Sequence, residues 1–233
     1  VTEVERQAVI DAVNTAQARK VYVVEEAMAA AIGAGLPIED ASGSMIIDLG
    51  GGTTDIAVFS LGDMVVDRTM KIAGDEMDED IINYVKSKYN MLIGERSAED
   101  IKIMMGSAMP LKKEKKYPVQ GRDLLTGLPK TVEISSIEVR EAIMNTISLI
   151  TEAVKDAIEE TPPELLKDLV SSGVYVAGGG ALIRGLDTFW TKELELPVKI
   201  VEDPLSAAAR GTSLMLDHIE LLDRVQRSWE ELV

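Results

Sequence analysis

Eight consecutive residues, Asp48-Leu49-Gly50-Gly51-Gly52-Thr53-Thr54-Asp55, combine types that could bind a phosphorylated ligand. Three glycines let the backbone approach a ligand closely and aim successive N–H groups at one point, which suits phosphate oxygens. Thr53 and Thr54 add hydroxyl donors, and the Asp48 carboxylate could hold Mg²⁺ through water molecules. The run lacks the Gly-Lys-Ser/Thr of a Walker A loop, and it does not open a helix as a dinucleotide fingerprint must. A tight turn that needs glycine is the plain alternative, yet a hairpin rarely places three consecutive glycines between acidic and hydroxyl residues.

A second triplet, Gly178-Gly179-Gly180-Ala181-Leu182, lies between an apolar stretch and a helical one. A flat glycine surface at the carboxyl end of a parallel strand is where α/β sheets place nucleotides, and it is equally ordinary β-to-α loop chemistry. Glu25-Glu26 stands where a strand would pass into a helix. A carboxylate there could orient an attacking water, or merely favour the positive helix N-terminus. Glu99 and Lys102, three residues apart, share one helix face; they could clasp a ribose or adenine edge, or form an exposed ion pair. His218 reads as a surface helix residue, the Lys112–Lys116 cluster as a solvated loop, and most methionines as core filler.

The elements that must position these residues follow from periodicity. Thr2 and Glu5 form a capping box before Val9, Ala12, Val13 and Ala16 at helical spacing. Val21–Val24 is a short strand-like run, and Ala27 to Ile32 is helical until Gly33, Gly35 and Pro37 end it. Ser44 to Leu49, Thr54 to Ser60 and Met64 to Ala73 are expected as strands whose short connections force antiparallel hairpins. Asp75 to Asn90 is expected as a helix, with a shorter one capped by Ser97 and Asp100 and reaching Met105. Gly106 to Pro129 looks like loop with room for one strand, Thr131 to Ser135 like a strand. Ser136 to Glu160 should be a long amphipathic helix presenting Ile143, Ile147, Ile150, Val154 and Ile158. Thr161-Pro162-Pro163 starts another helix. Strand 173–177, glycine loop 178–180, helix 186–194, strand 198–201 and helix 206–217 then alternate as an α/β fold with parallel strands does.

Composition sets the bounds. The chain has 233 residues, with 24 Lys+Arg against 40 Asp+Glu for a formal net charge of −16. That balance argues against a nucleic-acid partner, whose phosphates it would repel, and opposes self-association unless salt or Mg²⁺ screens it. A hydrophobic fraction of 46% is enough for a core. No cysteine is present, which excludes disulfides, thiolate nucleophiles and zinc–thiolate sites, and one histidine excludes multi-histidine metal sites. The longest apolar stretch, 27–38, is well short of the ~20 residues a spanning helix needs. Opening on Val1 with no leader, the sequence reads as a piece of a longer protein cut upstream.

Taken together, these motifs resemble the actin-type ATPase superfamily, and within it the bacterial actins that shape rod cells. Asp48–Asp55 is similar to the superfamily's second phosphate loop, Val24 to Ala31 to its first connecting motif, and Gly178–Leu182 to its adenosine motif. The helix 208–215, with Gly211, is similar to the second connecting helix. More diagnostic of the rod-shaping branch are Ala73-Gly74-Asp75-Glu76-Met77-Asp78, the stretch from Gly121 to Pro129, and Thr161-Pro162-Pro163-Glu164-Leu165. The resemblance implies an α/β, actin-like (ribonuclease H-like) ATPase fold with its second half complete and its first half partly present. Residues 1–43 with 204–233 would belong to the first subdomain, 44–73 with 141–203 to the core of the second half, and 74–140 to a small inserted subdomain.

By the same resemblance ATP would lie between the halves. Gly51, Gly52 and Thr53 would contact its β/γ-phosphates, and Asp48 the hydrated Mg²⁺. Glu26 would position the hydrolytic water with Thr53 nearby, and Glu99, Asp100, Ile101, Lys102 and Gly178, Gly179, Gly180, Ala181, Leu182 would hold ribose and adenine. The implied partners are filament protomers of the same kind, rod-shape and cell-wall synthesis proteins, and the inner membrane surface, met through the region upstream of Val1. The implied location is the cytoplasm, at the inner face of the membrane. Two features depart from the pattern: Ala27 follows Glu26 where the family usually has Pro, and the first phosphate loop lies outside the sequence. Glycine loops are shared with heat-shock-type chaperones and sugar kinases, and a scaffold fragment without activity is a further alternative.

Overall fold

The computed structural model of the chain describes residues 3–217 and residue 222. Its centre is a mixed five-stranded sheet in the order β3-β2-β1-β7-β8. The strands β1 (Ser44–Leu49), β2 (Thr54–Ser60) and β3 (Asp63–Met70) form two successive antiparallel hairpins, as their short connections require. β7 (Val174–Ala177) and β8 (Val198–Ile200) join parallel to β1, each reached through helices.

Every residue of β1 is buried, because helices cover both faces of the sheet. Alternation divides its side chains between two cores. Met45, Ile47 and Leu49 join Ile56, Val58, Val174 and Val176 in the larger one, beneath α3 (Gly74–Tyr89) and α5 (Ser136–Glu160). Ile46 joins Ala57, Phe59 and Ala177 on the opposite face, beneath α2 (Glu26–Gly33) and α8 (Ala207–Asp217). Small residues let these two helices touch. A Cβ on Gly211 would stand 1.7 Å from the Ala29 carbonyl oxygen, and one on Gly33 1.8 Å from that of Ala207.

The other elements are α1 (Glu3–Thr15), α4 (Glu95–Met105), α6 (Pro163–Ser172), α7 (Leu186–Leu194) and a second sheet, β4 (Met91–Leu92), β5 (Lys116–Asp123) and β6 (Pro129–Ser135). Helix α5 has the bounds its periodicity predicts, and Ser135 and Glu138 close a capping box at its start. Among the described residues no helix is long and apolar enough to cross a membrane.

Several expectations are corrected. Val21–Val24 lies in no strand, because no neighbouring strand is available to it among the described residues. Helix α4 is capped at Gly94, whose carbonyl accepts from the N–H of Ser97 and Ala98; Ser97 and Asp100 therefore sit inside the helix. The 106–129 stretch, in contrast, holds the one strand expected there, β5, disguised in sequence by Pro118 and by Gly121, where a Cβ would stand 2.4 Å from the Leu92 carbonyl. Within the lysine cluster Glu114 is engaged, paired with Arg140 at 2.9 Å and accepting from Ser136. Residues 179–182 form a 3-10 turn, and a second such turn, Pro204–Ser206, precedes α8. His218 and Thr2 lie outside the described residues.

Candidate nucleotide site

Asp48 is the penultimate residue of β1, on the α2 face of the sheet, and is 6% exposed. Among the described residues nothing donates a hydrogen bond to it. Burial pushes its carboxyl up to about 6, and the nearby Glu26 and Asp55 carboxylates push the same way. Glu26, the exposed first residue of α2, thus stands close enough to Asp48 to act on its charge. Glu25, at the cap position, is also raised, by burial and then by Asp67 and Asp55. The mouth between α2 and the β1–β2 turn is therefore a pocket of negative potential, suited to a cation or to a polarised water.

The Gly50–Thr53 turn closes through a bond from the Gly50 N–H to the Thr53 carbonyl at 2.9 Å. Gly51 and Gly52 are exposed, and among the described residues their N–H groups have no backbone or side-chain acceptor. Neither has a positive φ. A Cβ on Gly52 would meet only the Asp75 carboxylate, at 3.7 Å, and one on Gly51 the same group at 3.3 Å. Thr53 is half-buried, whereas Thr54 is fully buried and donates to the Ile72 carbonyl at 2.7 Å. The Thr54 hydroxyl is therefore not the ligand donor its position in the motif suggested.

The second triplet meets the first at Asp48. Gly178 has φ +80°, and a Cβ there would stand 2.3 Å from the Leu49 carbonyl oxygen and 2.6 Å from Asp48 Oδ1. Gly180 lies against the Leu49 side chain and Gly179 near Leu205. Ala181 is fully buried in the larger core, while Leu182 is 55% exposed.

The four residues of α4 diverge. Lys102 faces the first triplet, donating to the Gly74 carbonyl and to Asp78 Oδ2, each at 2.7 Å. Glu99 is near enough to raise the Asp78 carboxyl further, which burial raises and the Lys102 ammonium lowers. Ile101 is 1% exposed and packs in the core, so its side chain is closed to a ligand. Asp100 turns to a different surface, a cleft of about 280 Å³ that it lines with Ser97, Tyr117 and Gln120.

Two residues quoted in the sequence without a role prove to be engaged here: Asp75 lies against the glycine turn and Asp78 pairs with Lys102. The only signal was their place near the start of a helix that opens on Gly74. Among the described residues no group of three or more histidine or acidic side chains could hold a metal ion by itself.

Comparison with known proteins matches the profile of the MreB/Mbl protein family to residues 1–224. The chain belongs to this family. Cell shape-determining protein Mbl of Bacillus subtilis is 45% identical over 224 residues, covering 96% of this chain and 67% of the relative. Crystal structures of MreB5 of Spiroplasma citri superpose with a TM-score of 0.91 in two states. The one bound to ADP is 44% identical and covers 94% of this chain and 67% of that one. The one bound to AMPPNP is 42% identical and covers 98% and 68%. The chain thus spans about two thirds of the length of these MreB/Mbl proteins, and it has their actin-like fold. Family membership excludes the chaperone and sugar-kinase alternatives.

Proposed function

We propose that the MreB/Mbl protein to which this chain belongs binds and hydrolyses ATP in a cleft between its two halves and assembles with copies of itself into filaments. The observation that carries this reading is the Gly51-Gly52 turn, open to solvent, with two N–H groups free among the described residues and only the Asp75 side chain near the place of a Cβ at either position. Backbone donors held in place before the ligand arrives are an effective way to stabilise phosphoryl charge. The spatial convergence of Glu26, Asp48, both glycine triplets and Lys102 supports a single ligand, and the bound ADP and AMPPNP of the MreB5 structures support its being an adenine nucleotide.

In this reading Gly51, Gly52 and Thr53 hold the β/γ-phosphates, and Glu26 orients the attacking water. Glu99, Lys102 and the Gly178–Leu182 turn border the ribose and adenine. Asp48 fits Mg²⁺: it is a buried oxygen ligand with no competing donor, and Mg²⁺ keeps most of its shell as water and phosphate oxygens. The ion would supply charge neutralisation at the phosphates. Location in the cytoplasm at the inner membrane face, contact with that membrane through a region upstream of Val1, and partnership with rod-shape and cell-wall synthesis proteins complete the proposal.

Calorimetric titration of Mg·ATP into the 233-residue chain, and into the chain extended upstream to the length of its relatives, tests it. Binding to the extended chain is the expected result. Binding to it alone would make the shorter chain a silent half-site, and binding to neither would reduce Gly50–Gly52 to a turn.

A further inference from the structure

The Lys102 ammonium reaches from α4 to two acceptors on α3, the Gly74 carbonyl and the Asp78 carboxylate, both at 2.7 Å. The Lys102 and Asp78 side chains are largely withdrawn from water, 15% and 12% exposed. Gly74 and Asp78 are four residues apart, one above the other at the start of α3, so one ammonium clamps that whole first turn. The same turn carries the phosphate loop, because the Gly74 and Asp75 N–H groups donate to the Gly50 and Gly51 carbonyls at 3.1 and 2.8 Å. The joint has no spare room. A Cβ on Gly74 would stand 3.2 Å from both the Gly50 carbonyl oxygen and Lys102 Nζ.

Stability alone is a poor reason for this arrangement. Desolvating two charges offsets most of their attraction, and apolar side chains of similar shape often do as well. Among the described residues Asp78 Oδ1 is also buried without a hydrogen-bond partner, a cost that an apolar side chain would avoid. What the pair supplies and an apolar contact cannot is direction, since the ammonium must sit where a carbonyl and a carboxylate converge.

We propose that Asp78 is a positioning residue: by holding Lys102 against Gly74 it fixes the first turn of α3 and, through that turn, the Gly50–Gly52 backbone. The proposal rests on the phosphate-loop reading above and deepens it. The loop's geometry is then set from α4, so the ribose-side contacts of Glu99 and Lys102 and the phosphate contacts of the glycine turn are coupled through one ion pair. A displacement of α4 carries Lys102 with it and releases the turn.

Amide hydrogen exchange, followed by NMR on the 233-residue chain without nucleotide, tests this with Asp78→Asn, which keeps the shape and removes the charge. The Gly74 and Asp75 amides should exchange at least about tenfold faster, while amides of the β1–β2 ladder keep their rates. Unchanged rates at Gly74 and Asp75, or a uniform acceleration that includes the ladder, would overturn the proposal. If Asp78→Asn does not fold, Lys102→Gln removes the other half of the pair and should give the same local pattern. A second arm separates this idea from the one beneath it. Mg·AMPPNP added to the wild-type chain extended upstream should protect the Gly51 and Gly52 amides. Accelerated exchange at Gly74 in the variant with no such protection in the wild type would leave the clamp standing and sink the phosphate-loop reading.

Discussion

The two glycine triplets are the same three letters doing different physical work. At 178 and 180 the fold itself demands glycine. Gly178 is left-handed at φ +80°, its N–H is committed to the Pro204 carbonyl at 2.9 Å, and Leu49 occupies the space where side chains on Gly178 and Gly180 would go. At 51–52 the fold demands nothing of the kind: ordinary φ, exposed backbone, uncommitted N–H groups and only the Asp75 carboxylate nearby. A glycine that the structure does not require is better evidence for a ligand than one it does. The second triplet can still border a nucleotide, but Gly178 and Gly180 would be needed there without one.

The sharpest way to break the comparison is to add one methyl group to each triplet's critical position. Gly178→Ala must combine a left-handed non-glycine residue with a 2.3 Å clash against the Leu49 carbonyl. Strain and overpacking together should cost about 3 kcal/mol, lowering Tm by roughly 10 °C in a domain of this size. A thermal scan showing no loss would mean the loop has another conformation, and the contrast would collapse.

Gly52→Val should do the reverse. Its stability should stay within the ~0.5 kcal/mol of wild type usual for an exposed site, while affinity for Mg·AMPPNP in the nucleotide-binding form of the protein falls at least about a hundredfold, ~2.8 kcal/mol. Intact affinity would move the phosphates elsewhere, and a destabilised variant would make this triplet structural like the other.

Asp48, which touches both loops, gives the smallest and most diagnostic effect. Its folded carboxyl is raised from 3.8 to about 6 by burial and then by Glu26 and Asp55. The folded state therefore holds the proton more tightly than the unfolded chain. Stability contributed by that proton is present below about pH 4 and lost as pH rises through about 6. In EDTA and without nucleotide, Asp48→Asn should match the wild type near pH 4 and exceed it by a few degrees in Tm at pH 7. A variant less stable at pH 7 would mean that a donor, and not an absent cation, balances this carboxylate.

Much of the architecture was legible in the chain. The bounds of α5 follow from the spacing of Ile143, Ile147, Ile150 and Val154 and from the Ser135–Glu138 capping box, all local signals. The hairpins β1–β2–β3 follow from connections too short for any crossover. The strand β5 was half hidden because Pro118 and Gly121 are tolerated only by virtue of their places in the ladder, facts that belong to β4 and β6 as much as to β5. At the site, Glu26, Asp48 and Gly51-Gly52 could be nominated from residue type and order. Nothing in the spacing of Glu99–Lys102 separates Lys102, at the loop, from Ile101, in the core, or Asp100, on another cleft.

By itself, then, the sequence determined most of the elements, their order and the family, because periodicity, capping and turn chemistry act over a few residues. Which threonine is free, which triplet is open and which carboxylate clamps Lys102 were decided by tertiary structure. Those answers depend on atoms from segments 18 to 129 residues apart: Thr54 with Ile72, Gly178 with Leu49, and Asp78 with Lys102.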